Sequence, residues 1–120
     1  MKNDSCVSAE ETKEERPRIL TEECKRWSLK VEEMTGQPAY LYCFAHELPG
    51  DDWGAFHSSE IWYMLGTLGR CWRDMREEDF VLSEEMVTFW TEFMKNGKPS
   101  CQNEKWKPYG SQSRYIKEFL

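Results

Sequence analysis

The sequence predicts an α/β fold on three observations. Two stretches repeat apolar residues at helical spacing, a six-residue run between them is apolar on both of its alternating faces, and Gly and Pro punctuate the joins. The expected elements are two main amphipathic helices at about 21–35 and 84–96, a strand at about 39–45, a short helix near 59–65 and a possible short terminal strand. A chain of 120 residues makes one domain.

The first 18 residues are charged, with Glu10, Glu11, Glu14 and Glu15 among Lys13, Arg16 and Arg18 and no apolar period, so residues 1–18 read as a disordered polar leader. The segment 19–120 carries the fold. Leu20, Cys24, Trp27, Val31 and Met34 then recur at spacings of four, three, four and three, which is one apolar face of a helix. Thr21 suits the N-cap, with Glu22 and Glu23 in the first turn. Gly36 and Pro38 stop the helix.

The run Ala39-Tyr40-Leu41-Tyr42-Cys43-Phe44 is too short for a helix and rich in strand formers. Ala39, Leu41 and Cys43 share one face and Tyr40, Tyr42 and Phe44 the other, as in a strand of a mostly parallel sheet covered on both sides. Leu48-Pro49-Gly50-Asp51-Asp52 reads as a loop, and Ser58 or Ser59 as the cap of the short helix, which Gly66 and Gly69 end. Residues 70–80 are charged and irregular, except that Trp72 and Phe80 should find apolar cover. Ser83, with Glu84 and Glu85 behind it, caps the second long helix, whose buried face is Met86, Val87, Trp90, Phe93 and Met94 and whose stop is Gly97 and Pro99. Residues 98–114 read as loop, with a short strand or helix from Arg114 to Leu120.

A formal charge of −6 argues against nucleic-acid binding and gives no attraction to anionic membrane. No apolar run is long enough to span a bilayer, and Met1-Lys2-Asn3-Asp4 opens no hydrophobic signal segment, so either a cytoplasmic location or a targeting segment absent from this sequence is expected. Five cysteines, Cys6, Cys24, Cys43, Cys71 and Cys101, cannot all pair within the chain, and free thiols in a reducing compartment are expected. Six Trp, six Phe and five Tyr are many large rings for so short a chain, so some should be exposed or await a partner surface.

His57 is the candidate catalytic residue. It stands between Gly54 and the start of the short helix, where a loop presents an imidazole at the mouth of the next element. Glu60, three residues on, falls in the first turn of the short helix. His57 and Glu60 would need further ligands to hold zinc, and His46 is the only other histidine, so neither metal nor cofactor is expected. Cys43 reads as an inert thiol inside the strand, not a nucleophile for His46, and His46 as structural at the strand end.

Ala39-Tyr40-Leu41-Tyr42-Cys43-Phe44-Ala45-His46 resembles the late strand of the type-B carboxylesterases, the cholinesterase-like branch of the α/β-hydrolases. Gly54-Ala55-Phe56-His57-Ser58-Ser59-Glu60-Ile61 is similar to their catalytic-histidine loop. Leu82 to Met86 and Phe89 to Pro99 resemble their final helix and its Gly-x-Pro exit, and Trp106-Lys107-Pro108-Tyr109 the segment after it; Lys98 and Ser100 depart from the usual residues there. The resemblance spans about residues 19–120 and implies the C-terminal fifth or so of an esterase. It implies that His57 is the general base and acid of a Ser-His-Glu/Asp triad and that Glu60 stands beside the site or at the helix terminus. The serine elbow Gly-x-Ser-x-Gly, the triad acid and the oxyanion donors belong elsewhere in such an enzyme, and no Gly-x-Ser-x-Gly occurs in these 120 residues. On that resemblance the chain by itself turns over no ester, and its implied partners are an ester substrate and an upstream esterase chain. The reading from the residues alone also leaves room for a non-catalytic α+β interaction module.

Overall fold

The computed structural model describes residues 15–100 and 105–120. In chain order it has α1 (Glu15–Thr35), β1 (Leu41–Phe44), α2 (Glu60–Met64), a 3-10 turn (Leu68–Arg70), α3 (Glu77–Asn96) and β2 (Ile116–Phe119). β1 and β2 pair in parallel, Leu41 opposite Ile116 through Phe44 opposite Phe119. Parallel neighbours need a crossover, and here α2 and α3 supply it. The expected α/β elements are therefore all present, and the terminal segment is a strand.

α1 begins at Glu15, six residues before its expected start. Pro17 falls in the first turn, where a missing N–H costs nothing because that turn has no acceptor for it. Residues 15–18 of the expected leader are thus helical, Thr21 lies inside the helix instead of capping it, and residues 1–14 lie outside the described residues. The helix stops where expected, with Gly36 at φ 74° donating to the Glu32 carbonyl at 2.8 Å. Its apolar face does not find the expected cover among the described residues. Leu20, Cys24, Trp27 and Met34 are all exposed, Trp27 at 67%. α1 is tied to the rest by Glu32, which accepts the Ser111 amide at 3.0 Å. The Ser111 hydroxyl and amide hold its carboxyl below the ordinary value. A Cβ at Gly110 would overlap the Glu32 carboxylate and push it aside, so glycine there leaves room for this contact.

α3 departs most from expectation. It starts at Glu77, not near Ser83, with Arg76 as N-cap and Glu77, Glu78 and Asp79 in the first turn facing the positive helix end. Asp79 Oδ2 accepts the Arg76 amide at 2.7 Å, which caps the helix from within. Ser83 is buried in the helix, its hydroxyl donating to the Tyr63 carbonyl at 2.8 Å and so joining α3 to α2. The earlier start also corrects the buried face: Leu82, Met86 and Phe89 are buried, Val87 and Trp90 partly so, and Phe93 and Met94 are exposed. At the other end Gly97 takes the left-handed conformation at φ 72° and donates to Phe93 at 2.8 Å.

The core gathers Leu48, Tyr63, Leu68, Leu82, Met86, Phe89, Trp106 and Phe119. At its centre Phe89, Trp90, Trp106 and Phe119 meet at ring-centroid distances of 5.4 to 6.0 Å, mostly edge to face. Trp106 Nε1 donates to the Leu41 carbonyl at 3.1 Å, so the loop after α3 is pinned to β1. Trp72 and Phe80 do not find the expected cover: Trp72 is 71% exposed and Phe80 points away from the core. The strand is not covered equally on both sides: Tyr42 lays its ring against Trp90, Trp106 and Phe119 on the core side, while Cys43 on the opposite face is exposed. The face of β1 that carries Cys43 is left open, and the thiol expected inside lies at the surface. Among the described residues Cys24, Cys43 and Cys71 are free thiols, and Cys6 and Cys101 lie outside them. No helix among the described residues is long and apolar enough to cross a membrane.

Met86 is fully buried and Met94 is exposed on the same helix. In urea unfolding, Met86→Ala is expected to cost about 2–5 kcal/mol and Met94→Ala less than about 0.5 kcal/mol.

Candidate functional site

The segment between β1 and α2 forms a folded loop that ends at His57. Leu48 buries its side chain in the core while its amide reaches the Gly54 carbonyl at 3.3 Å, closing the first half. Asp51 Oδ1 accepts the Trp53 amide at 3.1 Å, a turn made by a carboxylate two residues back. The second half closes when the Ser59 amide donates to the Phe56 carbonyl at 3.0 Å. That turn forces Ser58 to φ 68°, the one non-glycine residue at positive φ among those described. A side chain in this region costs roughly 1–3 kcal/mol, and such strain gathers where a neighbour must be aimed. His57 precedes it, exposed, with no hydrogen bond or ion pair to any described residue.

Glu60 opens α2 and accepts the Tyr42 hydroxyl at a long 3.4 Å. Burial, with the Glu60 charge and hydrogen bond, pushes the Tyr42 phenol up to about 12, so it stays a donor at neutral pH. Glu60 thus links the start of α2 to β1 and forms no hydrogen bond or ion pair with His57. Ser59, expected as a possible cap, is N-cap by position only: it is buried and its hydroxyl has no partner among the described residues.

Sequence reasoning missed the centre beneath the loop. Asp79, 1% exposed, takes His46 Nε2 at 2.6 Å and the Tyr63 hydroxyl at 2.7 Å on Oδ1, and the Arg76 amide on Oδ2. Burial would raise its carboxyl, but the Arg76 amide, His46 and Tyr63 outweigh burial and hold it below the ordinary value. The ionised carboxylate only accepts, so Nε2 of His46 carries the proton. Burial, then the bond to Asp79, pushes the Tyr63 phenol far up. His46 stands just after β1 and Tyr63 inside α2, so one carboxylate ties both ends of the His57 loop to the start of α3. His46 is structural, as expected, and tilts against Phe44 and Tyr63.

Arg73 was also missed. Its side chain is 7% exposed and forks onto both oxygens of Asp51 at 2.8 and 2.9 Å, with Nη1 also reaching the Pro49 carbonyl at 2.8 Å. The guanidinium holds the Asp51 carboxyl below its ordinary value. The only sequence signals for these residues are an acid close before the expected second long helix, for Asp79, and a cation next to Trp72 between Arg70 and Arg76, for Arg73.

A family model described as the carboxylesterase family matches residues 20–119. Bile salt-activated lipase of Homo sapiens is 30% identical over 82 residues, covering 62% of this chain and 11% of that protein. The Rattus norvegicus bile salt-activated lipase is also 30% identical over 82 residues, covering 62% and 13%. Among solved structures, a PNB esterase superposes with a TM-score of 0.56 at 25% identity, over 66% of this chain and 17% of that one. A thermophilic PNB esterase gives 0.55 at 28% identity, over 68% and 18%. The chain therefore spans about a tenth of the length of the curated relatives it matches, and its fold is a segment of an α/β-hydrolase.

Because folding lowers the Asp79 carboxyl, its contribution to stability is fully present above the unfolded value of about 3.9 and is lost as pH falls through the folded one. Asp79→Asn is expected to lower the unfolding free energy at pH 7 by about 2 kcal/mol. It should also flatten the loss of stability below about pH 4, as urea titrations at stepped pH would read.

Proposed function

The chain belongs to the carboxylesterase family, and from that membership we propose that it is the C-terminal part of a carboxylic-ester hydrolase in which His57 is the general base and acid. The observation that carries this is the geometry at residue 57: an exposed imidazole without a described partner, at the end of a folded loop and next to the strained Ser58. A serine hydroxyl supplied by another stretch of polypeptide gives its proton to His57 as the oxygen attacks the ester carbonyl. His57 then returns the proton to the leaving alcohol as the tetrahedral intermediate collapses, and water repeats the cycle on the acyl-enzyme. An acidic residue from the same missing stretch orients the ring, and backbone donors there stabilise the oxyanion. Glu60, bonded to Tyr42 and not to the ring, braces the first turn of α2.

With no Gly-x-Ser-x-Gly in its 120 residues, the chain by itself lacks the attack step and is inactive on esters. Its partners are an ester substrate and an esterase segment that carries the elbow. No nucleic acid or membrane takes part, and a reducing, cytoplasmic setting fits the free Cys24, Cys43 and Cys71. One observation favours a second reading, a non-catalytic α+β module derived from such an enzyme: the uncovered face of α1 at Leu20, Trp27 and Met34 suits a protein partner as well as it suits the remainder of an esterase.

Co-expression with an esterase segment containing the serine elbow separates the two. Hydrolysis of p-nitrophenyl acetate is expected only in the mixture, and His57→Ala should lower it by about 10³-fold or more. Stable binding with no hydrolysis would favour the module.

A further inference from the structure

We propose that Arg73 is the positioning residue of the His57 loop, holding the imidazole in place through Asp51, Pro49 and the ring of Phe56. This rests on the reading of His57 as the catalytic base.

Between Leu48 and Ser59 two backbone hydrogen bonds outside regular structure close the loop, Leu48 to Gly54 at 3.3 Å and Ser59 to Phe56 at 3.0 Å. Two such bonds leave Pro49 to Asp51 and Phe56 to be fixed by side chains. Arg73 reaches both places. Its fork grips the Asp51 carboxylate through two parallel bonds, a geometry that fixes direction as well as distance. Nη1 adds the Pro49 carbonyl at 2.8 Å. The same guanidinium carbon lies 5.1 Å from the Phe56 ring centroid, and Phe56 is joined directly to His57. Trp53 completes the arc, its amide on Asp51 Oδ1 and its ring 6.3 Å from Phe56.

Arg73 lies midway between the end of the 3-10 turn at Arg70 and the N-cap of α3 at Arg76, and its guanidinium stands 4.7 Å from the Trp72 ring. That ring in turn lies along Gly50, where an added Cβ would come within 3.1 Å of it. This covered cation directs both of its terminal nitrogens onto the loop, through three hydrogen bonds. Arg73 touches no reacting atom in this arrangement, and it acts through Phe56 and the turn that follows. Lysine keeps the charge but not the fork, so Arg73→Lys separates the two contributions.

The test uses the 120-residue chain and NMR of the His57 ring, together with amide exchange at Leu48, Trp53 and Ser59. In Arg73→Met the ring resonances should shift and the three amides exchange about tenfold faster or more, while Met86 and Phe89 in α3 keep their protection, and Arg73→Lys falls between. Ring resonances and loop exchange identical to the parent would overturn the proposal. If Arg73→Met also loses α3 protection, Asp51→Asn, an isosteric change in an exposed residue, decides between the same two results. In the reconstituted esterase, a tenfold or greater fall in kcat with KM within twofold is expected, whereas a rise in KM alone would overturn the assignment. His57→Ala in that preparation reads the catalytic role separately, so the two can fail independently.

Discussion

The carboxylate of Asp79 is the interaction on which the other parts of this structure depend. It is buried, and a buried charge is tolerated only when every lone pair it turns inward is met. Here three donors from three places meet it: the amide of Arg76, His46 from the end of β1 and the hydroxyl of Tyr63 in α2. Those bonds tie the first turn of α3 to the segment just after β1 and to α2. The packing that follows, Ser83 on the Tyr63 carbonyl and Met86 and Phe89 against the rings of the core, assumes that junction is already made.

Around it the molecule divides into a satisfied interior and surfaces that await something. The aromatic cluster of Phe89, Trp90, Trp106 and Phe119 is well packed, and its one indole donor in contact with β1 is used. The apolar face of α1 and the face of β1 that carries Cys43 are left exposed by the described residues. A parallel pair of strands is ordinarily sheltered on both sides. That the shelter is partial agrees with a chain that covers less than a fifth of the esterase structures it superposes on.

Much of the fold was legible because it depends on local patterns. The apolar period of residues 20–34, the Gly-Pro stops after both long helices and the alternation at 39–44 each dictate an element without reference to anything distant. What was not legible came from long-range contacts. The start of α3 was placed at Ser83 because serine is a good cap, yet that hydroxyl is spoken for by Tyr63, twenty residues away, and Asp79 does the capping. The exposure of Met94 and Trp27 could not be read from periodicity, which marks an apolar stripe but not what lies against it. The same holds at the candidate site. His57 and its turn stand out in the sequence, but Arg73 and Asp79 carry no motif, and only folding brings them to the loop.

The pairing of Leu41 with Ile116 has a kinetic corollary, because the two strands are separated by about seventy residues that must fold between them. Closing so long a loop is entropically slow, whereas α2 and α3 need only near neighbours. The helices are thus expected to form first and the sheet last, leaving β1 for a time as a bare ribbon with unmatched amides on both flanks. Such a species pairs readily with a second copy, so the yield of native chain should depend on how dilute it is while it folds.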